Sequence, residues 1–138
     1  MKRELFDNVR LIVKADDIAI DRAGFLSGVL SVSVGAITGS PTASGLSIAI
    51  THADTEAGTF VPVTDAMIGL DRHPSKVGVL NEIAVESGDQ VSVNLDLIGC
   101  KQYIKIVPTF NFTGGTNPAA SKATYALVLG DPSISPVV

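Results

Sequence analysis

The residues able to do chemistry are few and poorly assembled for it. Two histidines, His52 and His73, and one cysteine, Cys100, are the only imidazoles and thiol in 138 residues. His52, Asp54 and Glu56 recur at every second position, which on a strand would place three metal-type ligands on one face. A jelly-roll metalloenzyme would want a second His two residues on and a Glu further along the strand. Here Asp54 holds that place and Glu56 comes too early, so the run reads as a polar strand end entering the turn at Ala57-Gly58. Asp71, Arg72 and His73 are adjacent, and three consecutive side chains cannot converge on one substrate as a Ser-His-Asp set does. With Pro74 they read as a turn. Asp16, Asp17 and Asp21 lack the spacing and the glycine of an EF-hand loop. Cys100 ends a strand with no His or second Cys near it and reads as a small buried hydrophobe. Gly114-Gly115 has no phosphate-loop Lys and no strand-to-helix context, so it is a turn. Asn111-Phe112-Thr113 matches a glycosylation sequon without the secretory context it needs. The expectation is a non-enzyme with no catalytic residue, no metal ligand and no cofactor.

The elements that would carry these residues are strands. Val, Ile and Thr supply 38 residues and Gly with Pro another 20, the composition of β-branched runs cut by turns. Leu30, Val32 and Val34 share one face against Ser31, Ser33 and Gly35. The same period of two runs through Leu46, Ile48 and Ile50, through Val91, Val93 and Leu95, and through Ile104, Ile106 and Phe110. With Leu127 and Leu129 these residues form the expected core. Less regular strands are expected near residues 9–14, 59–64, 76–86 and 123–129. Ser87-Gly88-Asp89, between two such runs, reads as a hairpin turn. Pro108 within a strand pattern implies an edge or a bulge, because proline donates nothing to the ladder. No window carries a helical period over three turns. The fold class is all-β, an antiparallel β-sandwich with a jelly roll favoured; an Ig-like sandwich is the alternative, although no Cys…Trp…Cys core is present.

At 138 residues the chain makes one domain, a single sandwich with an N-terminal arm over about residues 1–8 and a C-terminal tail over about 131–138. One cysteine excludes an intrachain disulfide scaffold and paired-cysteine zinc sites. No apolar run reaches the length of a membrane span, and the N-terminus turns acidic before any signal-type apolar stretch develops. A net charge of −4 argues against a direct nucleic-acid binder. Only 17% of residues are charged and 46% are apolar, a surface suited to life inside an assembly. Residues 1–14 carry a net of +2 and residues 15–71 a net of −6, so a positive arm leads into a negative body. The candidate partner-binding residues are Lys2, Arg3, Leu5 and Phe6 on the arm, with Ile134, Val137 and Val138 on the tail. They are charged or apolar and lie outside the alternating strands.

Three stretches carry a resemblance. One is Leu-Ser-Ile-Ala-Ile-Thr-His-Ala-Asp over residues 46–54, followed by Gly-Thr-Phe-Val-Pro-Val over 58–63. The second is Val-Asn-Leu-Asp-Leu-Ile-Gly-Cys-Lys-Gln-Tyr-Ile-Lys-Ile-Val over 93–107. The third is Ala-Thr-Tyr-Ala-Leu-Val-Leu-Gly-Asp-Pro over 123–132. In this order they resemble the capsid cement, or decoration, proteins of tailed bacteriophages, nearest the jelly-roll type found in a Bordetella podovirus. The resemblance spans roughly residues 28–132 and consists of strand-and-turn patterns, with no catalytic motif to carry over. It implies a virion structural protein, made in the bacterial host cytoplasm and placed on the capsid exterior. Its expected partners are the major capsid protein, whose neighbouring subunits it bridges, and a second copy in a homodimer. The rival readings are a tail or neck structural protein and a receptor- or glycan-binding module.

Overall fold

β-Branched runs separated by turn residues fold here into strands alone: no helix occurs among the described residues. The structure, a computed structural model, describes residues 9–14, 18–64, 74–120 and 124–132. In chain order the strands are β1 (Arg10–Lys14), β2 (Ile20–Asp21), β3 (Phe25–Ser33), β4 (Ile37–Thr38), β5 (Ala43–Ala53) and β6 (Val61–Pro62). They continue with β7 (Ile83–Ala84), β8 (Gln90–Asp96), β9 (Tyr103–Thr113), β10 (Ala119–Ala120) and β11 (Thr124–Pro132). One sheet has the order β1-β11-β3-β8. The other has the order β2-β9-β5-β6, with β7 also pairing β5, and β4 and β10 form a separate short ribbon. Every pairing is antiparallel.

The core lies between the two sheets. Leu30 and Val32 of β3 and Leu127 and Leu129 of β11 face Leu46 and Ile48 of β5 and Ile104 and Ile106 of β9, all fully buried. Removing these side chains from water is the main drive to pair the sheets. Three residues expected in this core, Val91, Val93 and Phe110, are only half-buried and pack against its rim. Val91 and Val93 sit on β8, which among the described residues is an edge strand with a neighbour on one side only. Phe110 lies toward the far end of β9, where its ring stacks with Phe112 at 6.3 Å between centroids. Ile20, Phe25, Val63 and Leu80 are buried as well, although no alternation around them marks them, and Leu97 is buried at the end of the alternating run that starts at Val91.

Several expectations change in detail. Gly88 does take the left-handed conformation, with φ 82°, and the Asp89 N–H closes the turn on the Glu86 carbonyl at 3.1 Å. Yet β7 on one side pairs with β5 and β8 on the other pairs with β3. The turn is an arch between sheets and not a hairpin, because the same residues reverse the chain in both. The tail expected from residue 131 starts later: β11 continues to Pro132, which pairs with Phe25. Proline is tolerated there because β1 pairs no further along β11 than Leu129, leaving that flank open among the described residues. Pro108 likewise meets Ile48 on one side, while β2 covers the other side of β9 only at Tyr103 and Ile104. The edge position expected of it is found. Of the ranges 59–64 and 76–86, only Val61–Pro62 and Ile83–Ala84 become strand. The β4–β10 ribbon is fixed by Gly39 at φ 85°, where an added Cβ would lie 2.5 Å from the Thr116 carbonyl oxygen.

Candidate interaction surfaces

Lys2, Arg3, Leu5, Phe6, Ile134, Val137 and Val138 lie outside the described residues, as do Asp16, Asp17 and the Asp71-Arg72-His73 run. The structure gives instead the roots from which the two flanking segments start. Arg10, first of β1, pairs with Leu129 on β11, and β11 ends three residues on at Pro132. Antiparallel neighbours therefore bring both roots to the same end of the same sheet. The N-terminal root is fastened: Arg10 Nη1 donates to the Asp21 carbonyl at 3.2 Å, and its guanidinium lies 4.9 Å from the Phe25 ring centroid.

The outer faces of the two sheets differ in kind. On the four-stranded sheet the outward positions carry Leu11 and Val13 on β1, which are 63% and 69% exposed, and Val29 on β3, which is 41% exposed. Val128 of β11 is directly opposite both Leu11 and Val29 in the register. The other outward residues are small or neutral, among them Ser31, Ser92 and Asn94. Asp96, at the β8 edge, is the sole ionisable side chain among the described residues facing outward here. Its carboxylate already accepts the Ile98 N–H at 3.0 Å.

The other sheet is covered by its own chain. Lys105 Nζ sits 4.4 Å over the Phe60 ring. Asn111 Nδ2 donates to Ser47 Oγ at 3.0 Å and to Glu82 Oε2 at 2.7 Å. Glu82 also lies over Gly45, filling the space that a side chain there would need.

The end that roots the flanking segments is tied by Arg22. Its Nε donates to the Lys101 carbonyl at 3.0 Å, one terminal nitrogen donates to the Phe25 carbonyl at 3.1 Å, and the other donates to the Cys100 carbonyl. His52, read as part of a polar strand end, stands at the end of β5 and is buried at 6% exposure. Its Nδ1 accepts the Lys101 N–H at 3.2 Å. Burial first, then the Lys101 charge, hold its pKa below 6.5 against the opposing pull of Asp54, with a lesser lowering from Arg22. Asp54 pairs loosely with Lys101 at 3.6 Å in the open. Cys100 is buried, as expected, and burial pushes its thiol pKa up, away from the reactive thiolate.

At the opposite end a shallow groove of about 640 Å³ runs between residues 37–44 and 84–89. Its carboxylates are Glu86 and Asp89, and Asp89 Oδ2 is already engaged by the Glu86 N–H at 2.8 Å. Among the described residues, no three of His, Cys, Asp and Glu come together as metal ligands would. No helix among them is long and apolar enough to cross a membrane. The class defined by this geometry is an antiparallel β-sandwich with one bare and one covered outer face. No family model, curated protein or solved structure matches the chain significantly.

Sequence reading missed Leu11, Val13, Val29 and Val128 as surface residues. The signal that would have found them is the lack of Lys, Arg and Glu at alternate positions of four strands.

Proposed function

We propose that the chain is a virion structural protein that binds the outer surface of an assembled bacteriophage capsid and bridges neighbouring major capsid subunits, stabilising the shell. The observation that carries this reading is the common origin of both flanking segments beside a charge-poor sheet face. A rigid block with two linkers rooted at one point can span a gap between subunits, since eight extended residues reach about 26–29 Å and six reach about 20–22 Å. Binding only the assembled lattice would stabilise that lattice by mass action, and two engaged contacts per dimer raise the effective concentration of each.

The strand order supports the jelly-roll reading. Counting β6 and β7 as one interrupted edge and setting the β4–β10 ribbon aside, the sheets run first-eighth-third-sixth and second-seventh-fourth-fifth. An immunoglobulin domain pairs its first two strands in one sheet, whereas β1 and β2 lie in different sheets. A glycan-binding module wants exposed aromatic platforms. Here Phe25 and Tyr125 are buried, Phe110 and Phe112 stack on each other, and Phe60 lies under Lys105.

The test is add-back to purified particles lacking the protein. Full-length chain, a version without residues 1–8 and one ending at Pro132 are compared for occupancy and for the temperature at which shells rupture. Saturable binding that raises the rupture temperature, reduced by either deletion, is expected. Density found on tail or neck and absent from the shell would overturn the reading in favour of a tail protein.

A further inference from the structure

We infer that the bare outer face of the four-stranded sheet docks a second copy of this chain, face to face about a two-fold axis near Val29 and Val128. The inference deepens the dimeric part of the reading above and supplies the surface for it. Three observations select a second copy as the occupant.

The first is charge. Each chain carries a net −4, so two copies repel wherever their acidic surfaces meet. Near a two-fold axis a residue meets its own counterpart, and any charge there would face itself. Among the described residues this face has no charge near its midline. Their one outward carboxylate, Asp96, sits on the edge strand and caps its own turn at Ile98. A partner of unrelated sequence imposes no such rule, because opposite charges would serve it equally well.

The second is the position of the apolar groups. The sheet midline runs between β11 and β3, and Val29 and Val128 face each other across it in the register. Leu11 and Val13 extend the strip to the β1 edge, while serines at 27, 31 and 92 leave the remainder low and flat. Sheets stacked face to face approach to about 10 Å, and small side chains permit that spacing.

The third is area. Four strands at about 4.8 Å spacing and about seven residues of rise give roughly 19 by 23 Å, or about 440 Å² in projection. Two such faces bury about 880 Å² in projection, short of the ~1,000 Å² of a stable interface and in the range of a weak, reversible one.

The experiment is sedimentation equilibrium on the full chain, with circular dichroism to verify the fold. The wild type should be dimeric at about 10 µM, a concentration that detects dissociation constants up to the micromolar range. V29K, which puts two buried lysines near one axis, should weaken self-association by about a hundredfold or more. V29S, the milder change, should weaken it measurably, and T109K on the other sheet should leave it unchanged. A wild type that stays monomeric, or a V29K chain that dimerises as well as wild type, overturns the inference. A monomer that still occupies particles leaves the capsid reading standing without this interface. A dimer that never binds particles does the reverse.

Discussion

The two outer faces of this sandwich share one core and one set of antiparallel ladders, yet they are finished differently. The sheet built on β5 and β9 is dressed by residues 54–64 and 76–86, with Phe60 under Lys105 and Glu82 held by Asn111. The sheet built on β11 and β3 has no such cover among the described residues. It exposes Leu11, Val13 and Val29 among serines. A sheet face in water ordinarily carries interspersed charge, which keeps it from sticking. The difference teaches that low charge is concentrated on one surface here, and an evenly spread deficit would carry no such implication.

The largest effect tests what the faces share. Ile106→Ala removes a fully buried side chain from the common core and should cost about 2–5 kcal/mol in chemical denaturation. A loss below about 1 kcal/mol would mean that the two sheets do not share one packed interior at that point.

Next comes the end where both faces meet, which should respond to acid. His52 Nδ1 can accept the Lys101 N–H only while unprotonated. Its folded pKa is lowered relative to 6.5, so the unfolded chain binds the proton first. Its contribution to stability is full above pH 6.5 and declines as pH falls below that value toward the folded pKa. Denaturation midpoints measured down to about pH 5, before the carboxylates titrate, should show this decline, and His52→Gln should flatten it. An equal decline in the variant would remove His52 as the cause.

The smaller effects separate the faces themselves. Asn111→Ala breaks both hydrogen bonds of the dressed face and should cost about 1 kcal/mol. Val29→Ser on the bare face should shift the stability of the dilute chain by no more than about 0.5 kcal/mol, because 41% of the side chain is exposed and its cross-strand pair with Val128 is worth only a few tenths of a kcal/mol. If the ranking of these two reverses, the bare face is part of the fold and not a surface awaiting cover.

Much of the fold was legible in the sequence, for a physical reason. Wherever a strand has one wet and one dry face, alternation appears, and it gave β5, β8 and β9 nearly to their ends. β2, β4 and β10 were not legible, because two residues carry no period. Phe25 and Leu80 join the core from segments without alternation. The turn at Gly88 was readable, but its role as an arch was not, since turn chemistry is local and sheet membership is set by distant partners such as Ser33 and Gln90. The candidate surface was half-legible. Ser31 and Ser33 were read as outward and uncharged, but only the register shows Leu11, Val13, Val29 and Val128 completing one face with them.

The most direct test of the claim that one face awaits a partner and the other is covered by its own chain is thiol labelling at two matched sites. Val29→Cys on the bare face and Thr109→Cys on the dressed one each add a reactive thiol to a chain whose own Cys100 is buried. The account predicts that labelling of the Val29 variant slows as protein concentration rises while labelling of the Thr109 variant does not. Equal rates at both sites across the concentration range would contradict it.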